Sequence, residues 1–184
     1  MKKYIKKKSP KILDLGSLDG RVGFMITDML NIQPKNIYLT DYNENYVENR
    51  IKPNIHKTED SIIFAKVEDV TSLSFEDSSF DFVIAFGDVF NLIYNKSYGG
   101  VISGGSKNII ENFNLALSES IRVLKNNGIL LFSINPAIME NFAEIISKIN
   151  DFKIKETIKI NYLTGRYIIV CQKKENLISH STNK

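Results

Sequence analysis

The sequence predicts an α/β domain, a doubly wound and mostly parallel seven-stranded sheet closed by an antiparallel C-terminal hairpin strand. Three observations lead there. Short apolar runs of strand length alternate with stretches whose apolar residues recur at helical spacing, the pattern of strands joined by crossover helices. Two runs near the end, 152–160 and 166–171, are separated only by Asn161 to Gly165, a connection too short for a crossover and suited to a hairpin. The chain has 184 residues, 43% hydrophobic and 24% charged, an ordinary composition for one globular domain with a sizeable core.

In order, Lys11 to Leu15 reads as a buried strand and Gly16-Ser17-Leu18-Asp19-Gly20 as a tight turn. Arg21 opens a helix in which Val22, Met25, Ile26, Met29 and Leu30 recur, with Pro34 beyond its end. Asn36 to Thr40 is a second strand closed by Asp41, and Asn43 to Ile51 a second helix ended by Pro53. A third strand is expected over Ser61–Lys66, a polar turn over 68–79, and a fourth strand over Phe80–Phe86, closed by Gly87-Asp88. Residues 95–107 carry four glycines and three serines, the composition of a flexible loop that can serve as a lid. Asn108 to Lys125 places Ile109, Phe113, Leu117, Ile121 and Leu124 on one helical face, and Asn126-Asn127-Gly128 is expected to stop that helix. Ile129 to Ser133 is a fifth strand, and Pro136 to Ile149 a helix with proline in its first turn. The domain is expected to span 11–173, between a basic arm (1–10) and a polar, disordered tail (174–184).

Composition narrows the function classes. No apolar run is long enough to span a membrane, and the lysine-rich start lacks the apolar stretch of a secretory signal, so a cytoplasmic address is expected. One cysteine, Cys171, allows neither an internal disulfide nor a cysteine metal cluster, and it is expected as a buried strand residue. His56 and His180 lack metal-ligand spacing, and no metal is assigned. Five of the first eight residues are lysine, so the Lys2–Lys8 arm is a candidate contact for nucleic acid, against the alternative of a solvated terminus.

The chemistry concentrates at one sheet edge. In doubly wound sheets ligands sit beyond the carboxyl ends of the central strands. The first four strands end in Asp14-Leu15-Gly16, in Asp41, in Glu68-Asp69 and in Gly87-Asp88, a carboxylate each time. Asp41 stands 21 residues past Gly20, where an acid can accept two hydrogen bonds from a ribose diol; a helix cap is the alternative. Tyr42 is placed to lie against an adenine face or simply to pack.

Taken together, these segments resemble the class I S-adenosylmethionine-dependent methyltransferases over nearly the whole chain. ILDLGSLDG is similar to their first motif and YLTDYN to their second. VEDVTSLSFEDSSFDFVIAF resembles the acid-containing turn and fourth strand, IRVLKNNGILLFS the segment into the fifth strand, and the closing hairpin their reversed seventh strand. The resemblance implies a Rossmann-like fold and S-adenosyl-L-methionine as cofactor. It implies that Asp14, Gly16, Ser17 and Gly20 line the methionine and ribose, that Asp41 binds the ribose hydroxyls, and that Tyr42 lies beside the adenine. Asp69 would accept from the adenine amino group, the Val70 N–H would donate to the ring, and Phe86 and Gly87 would run beside the methionine. Asp88 is the candidate base, with Asn91, Tyr94 and Tyr98 as candidate acceptor contacts. A small-molecule acceptor is expected ahead of RNA or protein.

The chain departs from the family pattern in two places. Leu18 stands where a glycine or another small residue is usual. Only about ten residues precede the first strand, so cover for the acceptor must come from 91–107, from Asn135 to Phe142, or from a second copy or partner subunit. The fourth strand is not followed by an Asn/Asp-Pro-Pro-aromatic run, which counts against the amino-methylating nucleic-acid enzymes that carry it. Two readings from other classes stand beside this one. The first is a non-catalytic methyltransferase-like binding subunit. The second is a nicotinamide-dependent oxidoreductase, disfavoured because Gly16, Gly20 and Gly23 miss the dinucleotide spacing.

Overall fold

The computed structural model describes residues 2–4, 9–55, 63–86, 89–90, 109–136, 151–159 and 166–175. The expected loop at 95–107, the helix over 136–149 beyond its first residue, the hairpin loop 161–165 and the tail beyond 175 lie outside them. The strands are β1 (Ile12–Leu15), β2 (Ile37–Asp41), β3 (Phe64–Val67), β4 (Phe80–Ala85), β5 (Leu124–Ile134), β6 (Phe152–Lys159) and β7 (Tyr167–Lys173). They form one sheet in the order β3-β2-β1-β4-β5-β7-β6. The first five strands are mutually parallel, and β7 runs antiparallel to both of its neighbours.

Both faces of the central strands are buried, which is why those strands read as unbroken apolar runs. One face, with Ile12, Ile37, Leu39, Phe82, Ile84 and Leu131, packs on Ile26 of α1 (Arg21–Leu30) and on Val47, Ile51 and Ile55. The other, with Leu13, Leu15, Val83, Leu130 and Phe132, packs on Phe113, Leu117 and Ile121 of α4 (Ile109–Val123). The helical set expected on α1 divides: Ile26 is buried, Val22 and Leu30 are half-buried, and Met25 and Met29 face solvent.

The third strand, expected over Ser61–Lys66, runs Phe64–Val67 among the described residues, and two helix boundaries differ from expectation as well. The second helix does not end at Pro53. It runs as α2 (Glu44–Tyr46), a π-helical turn over Val47–Ile51 and α3 (Lys52–Ile55), in which the Lys52 N–H donates to the Val47 carbonyl. The widened turn just before Pro53 eases the clash and the missing donor that proline brings to a helix interior. Likewise Asn126-Asn127-Gly128 is not a helix cap. The helix ends at Val123, Leu124 already pairs with Phe80, and the register jumps to Phe82 with Ile129. The intervening residues form a bulge with Asn127 at φ +63°. A Cβ on Gly128 would lie 2.8 Å from the Lys125 carbonyl oxygen, so the compact turn needs glycine there.

The same turn is buttressed by a lysine. Lys173 is buried at the end of β7, where its Nζ donates to the carbonyls of Ile121 (2.8 Å) and Leu124 (2.6 Å) and closes the end of α4. Cys171 is buried, as expected, and burial pushes its thiol up to about 12, so it stays protonated.

Candidate functional site

The parallel arrangement brings Asp14, Asp41 and Asp69 to the same rim, at the ends of β1 and β2 and just past β3. Hydrogen bonds link the strand ends in series. The Ser17 hydroxyl donates to the Asp14 carbonyl (2.9 Å) and accepts the Thr40 N–H (3.1 Å). The Thr40 hydroxyl donates to the same carbonyl (3.0 Å). The Leu18 N–H donates to Asp41 Oδ2 (3.1 Å), and the Glu68 N–H to the Asp41 carbonyl (3.0 Å). A polar clasp thus fixes the turn after β1 to β2, and β2 to the turn after β3.

The turn itself is tight. Gly16 and Gly20 sit at φ +66° and +80°, in the left-handed region. The Gly20 N–H donates to the Ser17 carbonyl (2.8 Å), and the Phe24 N–H to the Gly20 carbonyl (3.0 Å), which starts α1. A Cβ on Gly16 would lie 2.3 Å from Val89 Cγ2, so the approach of the segment after β4 requires glycine. Asp19 caps the helix by accepting the Arg21 N–H (3.2 Å), and the Asn54 side chain holds the Asp19 carbonyl (3.3 Å). Leu18 takes φ +54°, a conformation that suits glycine, and its side chain is 51% exposed. The bulky side chain therefore turns outward from the turn.

Asp14 is the unusual group. Only 2% of it is exposed, and its Oδ2 has no hydrogen-bond partner among the described residues. It lies under the first turn of α1: a Cβ on Gly23 would stand 3.4 Å from Oδ2 and 2.2 Å from Leu39 Cδ2, so glycine makes the room. Burial pushes the carboxyl up to about 7, with the nearby Asp41 adding to the rise and with Ser17 and the Gly23 N–H opposing it. Asp41 is equally buried and also raised by burial, against the N–H groups of Asn43, Leu18 and Tyr42. A cation placed over this pair would favour the charged form of both.

The remaining predicted residues fall as follows. Tyr42 is at the surface, and Val70 and Phe86 are half-buried at the same rim. Asp69 Oδ1 accepts the Thr71 N–H (2.9 Å) and hydroxyl (2.7 Å), which shapes the turn. Glu68 is buried by structural work of its own, accepting the Ser74 N–H (2.8 Å) and pairing with Lys66 (2.7 Å). That turn is held from behind by Arg122 of α4. Its guanidinium donates to the carbonyls of Phe75 (2.7 Å) and Leu73 (2.8 Å) and pairs with Asp77 and Glu119. Gly87, Asp88, Asn91, Tyr94 and Tyr98 lie outside the described residues.

Sequence reasoning missed Thr40, Asn54 and Arg122 as site builders. Thr40 had one signal, its place directly before Asp41 at a strand end. The other two act from α3 and α4, at separations no local pattern reveals. Among the described residues, no helix is long and apolar enough to cross a membrane.

Comparison with known proteins places residues 6–177 in a family described as a methyltransferase domain. No curated protein matches the sequence. Among solved structures, the chain is similar to a SAM-dependent methyltransferase of Methanosarcina mazei, with 15% identity and a TM-score of 0.69 over 95% of this chain and 97% of that one. It is similar to a TehB-like SAM-dependent methyltransferase of Corynebacterium glutamicum, with 14% identity and a TM-score of 0.68 over 94% and 84%. A third is a putative methyltransferase of Haloferax volcanii solved in complex with the Trm112 methyltransferase activator, with 15% identity and a TM-score of 0.68 over 94% and 85%.

Proposed function

The chain belongs to the methyltransferase-domain family, and on that premise we propose that it transfers a methyl group from S-adenosylmethionine to an acceptor, a small molecule before RNA or protein. The observation that carries the reading is the buried Asp14 Oδ2, which lacks a partner among the described residues, beside a second buried carboxylate at the strand-end rim. A rim of buried, under-satisfied carboxyl groups suits a ligand whose positive charge favours their ionised form and whose diol can donate to them, and it disfavours one bearing a pyrophosphate. This also separates the reading from a nicotinamide enzyme.

The cofactor supplies an electrophilic methyl group on a sulfonium. The protein's part is alignment and charge. In this reading Asp14, Gly16, Ser17 and Gly20 form the floor under the methionine and ribose, and Phe86 borders it. Asp41 holds the Leu18 N–H at Oδ2 and the Asn43 N–H at Oδ1, with the Tyr42 N–H also on the carboxylate, and it keeps lone-pair capacity for a ribose hydroxyl. Tyr42 flanks the adenine, and Asp69 and the Val70 N–H read its edge. Asp88 takes the acceptor's proton where the acceptor is a high-pKa hydroxyl or amine, with Asn91, Tyr94 and Tyr98 around the acceptor. A cytoplasmic address fits this reading.

The left-handed Leu18 favours one competing reading, a non-catalytic subunit that keeps the fold without the cofactor. The Haloferax volcanii relative was solved with an activator subunit, so a partner that completes the acceptor side is part of the proposal here. Calorimetric titration with S-adenosylhomocysteine decides. Saturable binding that NADH does not compete supports transfer chemistry, whereas no heat from a folded protein favours the non-catalytic subunit.

A further inference from the structure

The rim opposite the carboxylates carries a cleft of about 630 Å3 where the amino end of β4 meets the bulge in β5. Its walls include Lys3, Tyr4, Lys125, Asn126, Asn127 and Lys155, and Phe82 and Ile129 form part of its floor. Asp14, Asp41, Glu68 and Asp69 lie at one end of the sheet, whereas the cleft at the other end is lined by three lysines, with Glu156 and Glu175 bonded to Lys3 and Asn127 at its margin. Among the described residues Asp81 is the one acid lining the cleft, and its Oδ2 already holds the Lys11 N–H (3.0 Å) and Lys125 Nζ (3.0 Å). Lys3 pairs with Glu156, but that contact is at the surface and weak enough to exchange for a phosphate. Lys155 is exposed and has no ion pair among the described residues. Lys3 also belongs to the run in which five of the first eight residues are lysine.

We propose that this cleft is a docking groove for single-stranded nucleic acid, placed behind the sheet and separate from the carboxylate rim. Lysines supply sequence-independent attraction to phosphodiesters. Asn126 offers an amide at the wall, while the Asn127 and Gln172 side chains already donate to Glu175 and to the Asn127 carbonyl; the half-buried Tyr4 ring lies under Lys3 Nζ, 5.3 Å from its centroid, and offers that face to a base once the ammonium moves to a phosphate. The concavity and the amide lining favour a strand over an anionic lipid surface, which is flat and would call for protruding apolar side chains. The acids of the opposite rim make it the less favourable end for the phosphodiesters of a strand. The inference does not depend on the identity of the methyl acceptor or on cofactor binding.

The test is fluorescence anisotropy of the full chain with a labelled oligouridylate of about 12 nucleotides, within the usual span for such grooves, over a series of salt concentrations. Saturable binding that weakens with salt is expected. Lys155→Glu and Lys3→Gln should each weaken it by about threefold or more at low salt, and each should flatten the logarithmic salt slope by about 0.7. Thermal melting and S-adenosylhomocysteine titration of the same variants should match the wild type. The proposal is overturned by no binding at low salt, by variants that bind as the wild type does, or by capture on phosphatidylserine vesicles without oligonucleotide binding.

Discussion

Replacing Asp14 by asparagine tests the core of the site, because the structure sets both the sign and the size of the effect. The carboxyl is raised from the ordinary 3.8 to about 7, chiefly by burial. In the unfolded chain the group ionises near pH 4, while in the folded chain it holds its proton to near neutrality. Its contribution is therefore full below about pH 4 and is lost as pH rises through about 7. A shift of about 3 units corresponds to about 4 kcal/mol, of which about 3 kcal/mol falls between about pH 5 and pH 8. Asp41, raised by burial as well, adds in the same direction. Urea unfolding followed by circular dichroism at several pH values should show wild-type stability falling across that window. Asp14→Asn should show a markedly shallower fall. The slope is the readout, because an amide in this place puts an N–H2 or carbonyl where Oδ2 has no partner among the described residues, which itself costs stability. Wild-type stability that is flat or rising from about pH 5 to 8, or an equal slope in both proteins, would refute the reasoning.

Other outcomes are expected from the same geometry. Asp41→Ala should weaken S-adenosylhomocysteine binding by about 1–3 kcal/mol in calorimetry; an unaltered dissociation constant would reduce Asp41 to the anchor of Leu18 and Asn43. Asp88→Asn should lower turnover with cofactor affinity kept, and unchanged turnover would remove Asp88 from the chemistry. Arg122→Ala strands the carbonyls of Leu73 and Phe75 and should cost about 2–4 kcal/mol by chemical denaturation; a loss under about 0.5 kcal/mol would mean water replaces the guanidinium. Leu18→Gly should stay within about 0.5 kcal/mol of the wild type, since relief of left-handed strain offsets the entropy glycine adds to the unfolded chain. A loss beyond about 1.5 kcal/mol would show that the leucine side chain packs on something it needs.

Much of the fold is legible in the chain because its central strands are buried on both faces. β1, β2 and β4 appear as apolar runs ending in acids, and the short connection after β6 announces the reversed β7. The helix-to-β5 junction is not legible, because Leu124 continues the helical spacing of Leu117 and Ile121 yet pairs with Phe80. Only the long-range partner decides between the two. Pro53 misleads for a similar reason, since a π turn before it absorbs what would otherwise end the helix. The row of acids at the site can be read from strand ends alone. Their partners cannot, because Leu18 reaches Asp41 through a backbone N–H and Asp14 owes its pKa to how deeply it is covered. Side-chain type says nothing about either.

The strand order has a consequence for how the molecule is made. β7 follows β6 in the chain but takes its seat between β5 and β6. During synthesis, β5 emerges early and waits with one long flank unpaired, and β6 has no place to dock until its successor arrives. Six consecutive residues of that flank, from Ile129 to Ile134, are buried in the finished sheet. A nascent chain stalled before Tyr167 therefore presents a sticky, strand-shaped surface of the kind that recruits chaperones or pairs with a neighbour. Completion of the last strand acts as the latch that turns a vulnerable intermediate into a closed sheet.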